Sequence, residues 1–200
     1  MVSIAITTLY EKNNYGRDIL LKTEPGIFEA SNPETDNLVM SYLNEVSKEK
    51  YYQNYLIIKN IEDVISEEKN EYVKNESRIK NLKKNRILFI TPKEIRDKID
   101  YLIAENATLK IDISSKKQMI KNLSTYSDED LDVKYTNALL ELGFKKVDYI
   151  EDEAGYRTTV YNCENLDTQL VNSKINSIKN IKYKSSARET VIEVGEEKAR

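Results

Sequence analysis

Few residues in this chain of 200 could carry chemistry, because histidine and tryptophan are absent. Histidine is the commonest general base and the commonest metal ligand in proteins, so its absence lowers the expectation of catalysis. The single cysteine, Cys163, lies beside Glu164, whose negative charge opposes formation of a reactive thiolate. The glycines are isolated, so there is no glycine-rich phosphate-binding loop. We therefore predict no catalytic residue, no cofactor and no enzymatic activity.

The densest acidic cluster, at residues 128–132, contains the carboxylates that a calcium ion could use. An EF-hand loop needs alternating oxygen ligands, a central glycine and a terminal glutamate, and this segment does not have that pattern. Acidic residues are favoured in the first turn of a helix. The cluster therefore predicts a helix that Ser127 caps, and no metal site.

Two basic clusters could contact anions. The first, 74–86, precedes a heptad pattern as in a bZIP DNA reader, but such a reader needs one continuous helix and Pro92 starts a new one. We therefore do not expect sequence-specific nucleic-acid binding. The second cluster has no acidic residue within it and predicts an electrostatic contact with phosphates or with an acidic neighbouring subunit. Ordinary solvated surface is the alternative for its members, which are Lys174, Lys179, Lys182, Lys184 and Arg188.

A heptad pattern over residues 91–123 is the main organising feature. Isoleucine at one seam position and leucine at the other favours a parallel two-stranded coil, and Asn106 on the seam would fix its register. The alternative is a helical hairpin in which this helix packs on residues 34–85 of the same chain. The predicted seam consists of Ile95, Ile99, Leu102, Asn106, Leu109, Ile113, Ile120 and Leu123, with Lys116 at one further position.

The start of this helix is well specified. Thr91 is the expected N-cap, Pro92 the first helical residue, and Glu94 completes a capping box. Ile90 and Ile95 would pack on each other across the cap. The apolar run 86–90 before it predicts a short buried strand or the corner between two helices.

The other elements follow from alternation, caps and turn residues. Strands are predicted at 2–10 and 17–22, then a turn at Pro25-Gly26 and a short strand at 27–30. A helix should begin at Pro33 and run to about residue 85, with a possible break at 49–52. The remaining expectations are a helix from 127 that Gly143 ends, a hairpin of 146–151 and 156–161, a helix over 162–180, an irregular segment at 181–188 and a strand at 190–194.

The predicted fold class is α+β, with a long helical hairpin or coiled-coil element and a small antiparallel β region formed by the N- and C-terminal segments. We predict three parts: an N-terminal β-hairpin (1–32), long helices (33–123) and a small α/β region (124–200). No apolar run approaches the about 18–20 residues that cross a bilayer, so we expect no membrane partner. One cysteine excludes an intrachain disulfide and fits a reducing compartment.

These features predict a structural subunit whose partners are copies of itself and other proteins, with no small-molecule substrate. A small, histidine-free chain rich in asparagine, lysine and isoleucine is similar to tailed-phage virion components, such as neck, tail, connector or head-completion proteins. That resemblance implies a virion protein assembled in the host cytoplasm. The alternative is a soluble, cytoplasmic coiled-coil adaptor or scaffold that dimerises and presents its α/β end to a partner.

Overall fold

A computed structural model describes residues 1–84 and 93–184, and the statements below concern those residues. The fold is mixed helix and sheet, as predicted. Its elements in chain order are β1 (Val2–Lys12), β2 (Asp18–Glu29), α1 (Pro33–Gln53), α2 (Tyr55–Lys84), α3 (Lys93–Ser124), α4 (Asp128–Glu141), β3 (Lys145–Glu151), β4 (Tyr156–Cys163) and α5 (Thr168–Lys179). They divide into two compact units, one of Met1–Tyr55 with the segment that begins at Ser124, and one of Leu56–Leu123.

The four strands form one antiparallel sheet in the order β2-β1-β4-β3. The two hairpins therefore meet through β1 and β4, which confirms that the N-terminal hairpin and the later hairpin share a sheet. Alternation in β1 places Ile4 and Ile6 in the core, where both are at most 2% exposed.

The predicted turn at Pro25-Gly26 is wrong. Strand β2 continues through both residues, with Pro25 opposite Ile6 and Gly26 opposite Ala5. A type II turn would need a positive φ at Gly26, which this glycine does not have. Proline is tolerated here because β2 is an edge strand, where a missing N–H removes no ladder hydrogen bond.

Helices α1, α4 and α5 supply the rest of the core. Helix α4 ends as predicted at Gly143, whose φ is +85°, and Phe144 donates its backbone N–H to the Leu139 carbonyl at 3.0 Å. Cys163 is buried and packs in this core. The buried core residues are Val2, Ile4, Ile6, Val39, Tyr42, Leu43, Val46, Tyr135, Ala138, Leu139, Leu142, Phe144, Tyr161, Cys163, Val171 and Ile175.

Side-chain caps set the helix starts. Asn32, rather than the neighbouring Ser31, caps α1, and Ser127 caps α4 as predicted. Helix α5 begins later than predicted, at Thr168, because β4 extends to Cys163 and Asp167 supplies the cap. The long helix predicted after Pro33 is divided at Asn54, two residues beyond the predicted break.

Residues 181–184 form a helical turn rather than the predicted irregular segment. The Thr91 cap, the packing of Ile90 on Ile95, the apolar run 86–90, the strand at 190–194 and Arg188 lie outside the described residues. No helix among the described residues is both long enough and apolar enough to cross a membrane.

Candidate interaction surface on the α2–α3 pair

Helices α2 and α3 pack against each other in opposite directions. Asn75 contacts Glu105, Asn106 contacts Tyr72, and further along the pair Lys116 contacts Glu68. Contacts therefore move down α2 as they move up α3, which makes the pair antiparallel. We call these two helices the α2–α3 pair.

The predicted seam is the face of α3 that packs. Ile99 and Asn106 are buried and the other predicted seam residues are partly buried. Of the other residues from 93 to 122, all except Glu105, Asp112 and Lys116 are exposed. A seam between copies of the chain stays a prediction, because this face is covered by α2 of the same chain.

Helix α2 carries a matching heptad face that alternates three- and four-residue steps. Its members are Ile58, Ile61, Ile65, Glu68, Tyr72, Asn75, Ile79 and Leu82, and all are buried or partly buried. The 3.5-residue average of these steps keeps one stripe of each helix facing the other along the pair. Polar Glu68 and Asn75 interrupt the apolar stripe.

Two asparagines form a polar layer inside the pair. Asn75 is 0% exposed; its amide donates to Glu105 Oε2 at 3.0 Å and its carbonyl accepts from Arg78 at 3.0 Å. The Asn106 amide donates to Glu76 Oε1 at 3.0 Å, but Asn106 Oδ1 is buried and has no hydrogen-bond partner among the described residues. Such a layer penalises shifted alignments of the helices, because a shift would bury amides against apolar side chains.

A second polar contact lies further along the pair, where Lys116 donates to Glu68 Oε1. The two side chains are 30% and 18% exposed, so the ion pair is largely shielded from water. The other carboxylate oxygen, Glu68 Oε2, is buried, and no residue in the described part of the chain forms a hydrogen bond with it. The ion pair thus fixes alignment without full compensation for desolvation.

One edge of the pair is rich in lysine. Three lysines directly follow a seam residue on this edge: Lys69 on α2, and Lys110 and Lys117 on α3. They line one groove of about 480 Å³, together with the side chains of Tyr72 and Ile113. The Lys110 Nζ atom lies 5.3 Å from the centre of the Tyr72 ring. A neighbouring groove adds Lys80 and Lys83, together with Glu76, whose carboxylate accepts from the Asn106 amide. We define the basic edge as Lys69, Lys80, Lys83, Lys110 and Lys117.

The opposite edge carries carboxylates. Positions that directly precede a seam residue on both helices share this edge, as a groove lined by Arg78, Lys98 and Tyr101 shows. The same positions also carry the cations Lys74, Arg78 and Lys98, which the carboxylates outnumber. We define the acidic edge as the carboxylates Glu67, Glu71, Glu105 and Asp112. Glu71 is partly neutralised by Lys74 and Arg78, at 3.4 and 3.0 Å.

Apolar side chains accompany the charges on both edges. Val73 and Ile103 follow seam residues on the basic edge and are 61% and 49% exposed. Val64 and Met119 precede seam residues on the acidic edge and are 42% and 51% exposed. The three- and four-residue spacing of 58–82 predicts this stripe on α2 from the sequence, with Glu68 and Asn75 as its interruptions. The charge difference between the edges was not predicted.

The predicted electrostatic residues do not gather at one place. Lys174 pairs with Glu141 of α4 in the same chain. Lys182 Nζ lies 5.5 Å from the Tyr55 ring centre and 5.0 Å from that of Tyr183. Lys179 and Lys184 are exposed, and Arg188 is outside the described residues.

A polar cavity of about 330 Å³ lies among α1, α4 and α5. It is flanked by the ion pairs Glu49–Lys134 and Glu141–Lys174, so its charges are already balanced. Burial, aided by the nearby carboxylates of Glu141 and Glu49, raises the pKa of Tyr42 on its wall to about 12. The Tyr42 phenol therefore stays protonated to a higher pH than an exposed tyrosine does.

The acidic cluster at 128–132 acts at a helix start, as predicted. Asp128 accepts the backbone N–H of Thr23 at 2.8 Å, which joins α4 to β2, and burial raises the pKa of Asp132. Among residues 1–84 and 93–184, no group of three or more possible metal ligands is found.

Comparison of the chain with protein-family models, with curated proteins and with solved structures finds no significant match.

Proposed function

We propose that this protein is a structural subunit that assembles with copies of itself through the α2–α3 pair. The observation that carries the proposal is apolar exposure outside the packed seam. Helices α2 and α3 cover each other's heptad faces, yet seven large apolar side chains on them are at least 42% exposed: Ile57, Val64, Val73, Tyr101, Ile103, Ile111 and Met119. Exposed apolar side chains mark interfaces where they form a contiguous patch, as Val73 does with Tyr72 and Ile113 in one groove of the pair.

The polar residues inside the pair support a role in which helix alignment matters. Asn75, Asn106 and the Glu68–Lys116 ion pair weaken apolar packing but fix how the two helices align. A fixed alignment gives each copy the same outer surface, which a repeating assembly requires.

For the assembly itself, we propose a tailed-phage particle in which this chain is a neck, tail, connector or head-completion component. The support for that step is the composition and small size of the chain. A soluble adaptor that stops at a dimer is the competing function.

The oligomeric state of the full chain tests the proposal. We expect native mass spectrometry and light scattering after gel filtration to show assemblies of more than two copies. A dimer would favour the adaptor, and a monomer at every concentration would overturn self-assembly.

A pair of variants locates the interface. Val73→Asn with Ile103→Asn should weaken self-association by at least about ten-fold, because both side chains would be buried at the contact. Ile19→Asn with Ile150→Asn is the matched control, because these sheet residues are 47% and 43% exposed. Equal oligomerisation of both double variants would contradict an interface on the α2–α3 pair.

A further inference from the structure

We propose that the basic edge of one copy packs against the acidic edge of a second copy, so that α2–α3 pairs associate side by side. This inference rests on the proposed function and names the surfaces that meet. Because the two edges differ, the contact is heterologous, and each copy keeps one edge free for a further copy. Such contacts close into a ring or continue as a filament.

The groove on the basic edge suits an apolar helix that bears carboxylates. Its floor is formed by Tyr72, Val73 and Ile113, and its rim by Lys69, Lys110 and Lys117. A docked helix would bury the exposed Val73 side chain and leave its acidic residues beside the lysines. The acidic edge has this composition, since Val64 and Met119 lie among its carboxylates.

The spacing of the charges also matches. Lys110 and Lys117 are seven residues apart on α3, and so are Glu105 and Asp112. Seven residues of helix span about 10.5 Å, so two roughly parallel helices can bring both opposite-charge pairs together. The Asn75 amide uses one oxygen of Glu105, and the carboxylate retains further acceptor capacity.

A nucleic acid is the other macromolecule that a lysine-rich groove could bind. A second copy is favoured for two reasons. The floor of the groove is apolar and would gain little from a phosphate backbone, and the complementary surface is present on the same helix pair. Charge complementarity here selects the partner and its orientation, while apolar burial supplies the affinity.

Charge reversal tests the assignment. The basic-edge variant is Lys110→Glu with Lys117→Glu, and the acidic-edge variant is Glu67→Lys with Asp112→Lys. Within the described parts of α2 and α3, none of these four residues makes a hydrogen bond between the helices, and Lys110 contacts only the Tyr72 ring there. Far-UV circular dichroism should therefore show unchanged helix content. Each variant alone should lose at least about ten-fold in self-association, because like charges would meet at every contact.

An equimolar mixture of the two variants provides the sharper measurement. Every edge then has an oppositely charged edge on the other variant, so native mass spectrometry should show oligomers with equal numbers of both. Combining all four substitutions in one chain should restore self-assembly to near the wild-type level. The control is Lys12→Glu with Lys145→Glu, the same charge change on the sheet, which should leave assembly unchanged.

The outcomes separate the two proposals. If the wild-type chain stays monomeric, the proposed function fails and this inference fails with it. If the wild-type chain assembles but the reversal variants assemble equally well, or their mixture stays dissociated, only the pairing of the edges is wrong. The chain could also bind a duplex DNA probe in a salt-dependent way. If Lys110→Glu with Lys117→Glu abolished that binding without changing assembly, the groove would be assigned to nucleic acid instead.

Discussion

The two asparagines on the packed faces of α2 and α3 differ in how well their polar atoms are satisfied. Asn75 has partners for both its amide nitrogen and its carbonyl oxygen, whereas Asn106 Oδ1 is buried with none among the described residues. An unpaired buried acceptor forfeits its hydration without compensation, at about 1–3 kcal/mol. The two residues should therefore respond differently to the same substitution.

Asn106→Leu is expected to raise the free energy of unfolding by about 1 kcal/mol, because it removes an unpaired buried acceptor and adds apolar packing. Glu76, which loses its partner, is exposed and can be hydrated. The same change should loosen the oligomeric state, since the residue no longer fixes helix alignment. Urea unfolding followed by circular dichroism measures the first effect and native mass spectrometry the second.

Asn75→Leu is the matched control and should lower stability by about 1–2 kcal/mol, because it breaks two satisfied hydrogen bonds and leaves Glu105 half-buried without its donor. A loss of stability in Asn106→Leu equal to that in Asn75→Leu would contradict the difference drawn between them.

Tyr42 provides a pH-dependent prediction. Its pKa is raised from the ordinary 10 to about 12 in the folded protein, mainly by burial, so the unfolded chain loses this proton first as pH rises. The stability that the protonated Tyr42 phenol gives to the folded protein is therefore intact below pH 10, and it is lost as the pH rises from 10 to 12. Tyr52, whose pKa is also raised to about 12, adds to the same decline.

Tyr42→Phe should therefore reduce the fall in stability above pH 10, and the part that comes from Tyr52 should remain. Urea midpoints measured at intervals from pH 8 to about 11 for both proteins test this. Parallel curves for the wild-type and variant proteins would show that Tyr42 titrates alike in the folded and unfolded states.

At the scale of elements, heptad spacing identified the packing face of α3 but could not identify what covers it. Ile99 and Asn106 would be buried equally well by α2 or by a second chain, because periodicity specifies a stripe and not a partner. The lysine-rich and carboxylate-rich edges depend on which helix lies alongside, so they became visible only when α2 and α3 were placed together.

The errors along the sheet have a different origin. Pro25-Gly26 has a strong local turn preference, but pairing with Ala5 and Ile6 along an edge strand overrides it. The start of α5 was misplaced because Asn162 and Cys163 belong to β4, and the ladder with β1 is a long-range interaction that local patterns do not report. Where a cap acts within one turn, as at Ser127, the prediction was confirmed.

The ion pair between α2 and α3 yields a prediction about the helix pair as a unit. Lys116→Met alone should destabilise the protein by about 2–3 kcal/mol, because it leaves the shielded Glu68 carboxylate without its partner. Adding Glu68→Leu should recover that loss or exceed it, since two apolar side chains then replace a desolvated ion pair. Urea unfolding of the wild-type protein, the two single variants and the double variant gives the interaction free energy between Lys116 and Glu68. If the two single changes in free energy of unfolding add up to the double change, the residues do not interact.

At the scale of the whole molecule, the chain has a net charge of only -3, so its association is governed by where charges lie more than by their total. The compact unit Leu56–Leu123 concentrates lysines on one edge and carboxylates on the other, with exposed apolar side chains on both. This arrangement predicts that two kinds of salt will affect assembly differently. Screening weakens attraction between edges, whereas strongly excluded salts strengthen apolar burial.

Raising sodium chloride from about 0.1 M to about 1 M shortens the screening length from about 10 Å to about 3 Å and should shift the oligomer towards monomer. Ammonium sulfate at the same ionic strength should dissociate it less, because sulfate favours burial of side chains such as Val73 and Met119. Sedimentation velocity in both salts measures the difference. In the variant Lys110→Glu with Lys117→Glu, sodium chloride should instead favour assembly, because it screens the repulsion between like charges on the two edges. Assembly that sodium chloride leaves unchanged in both proteins would show that apolar contact alone joins the copies.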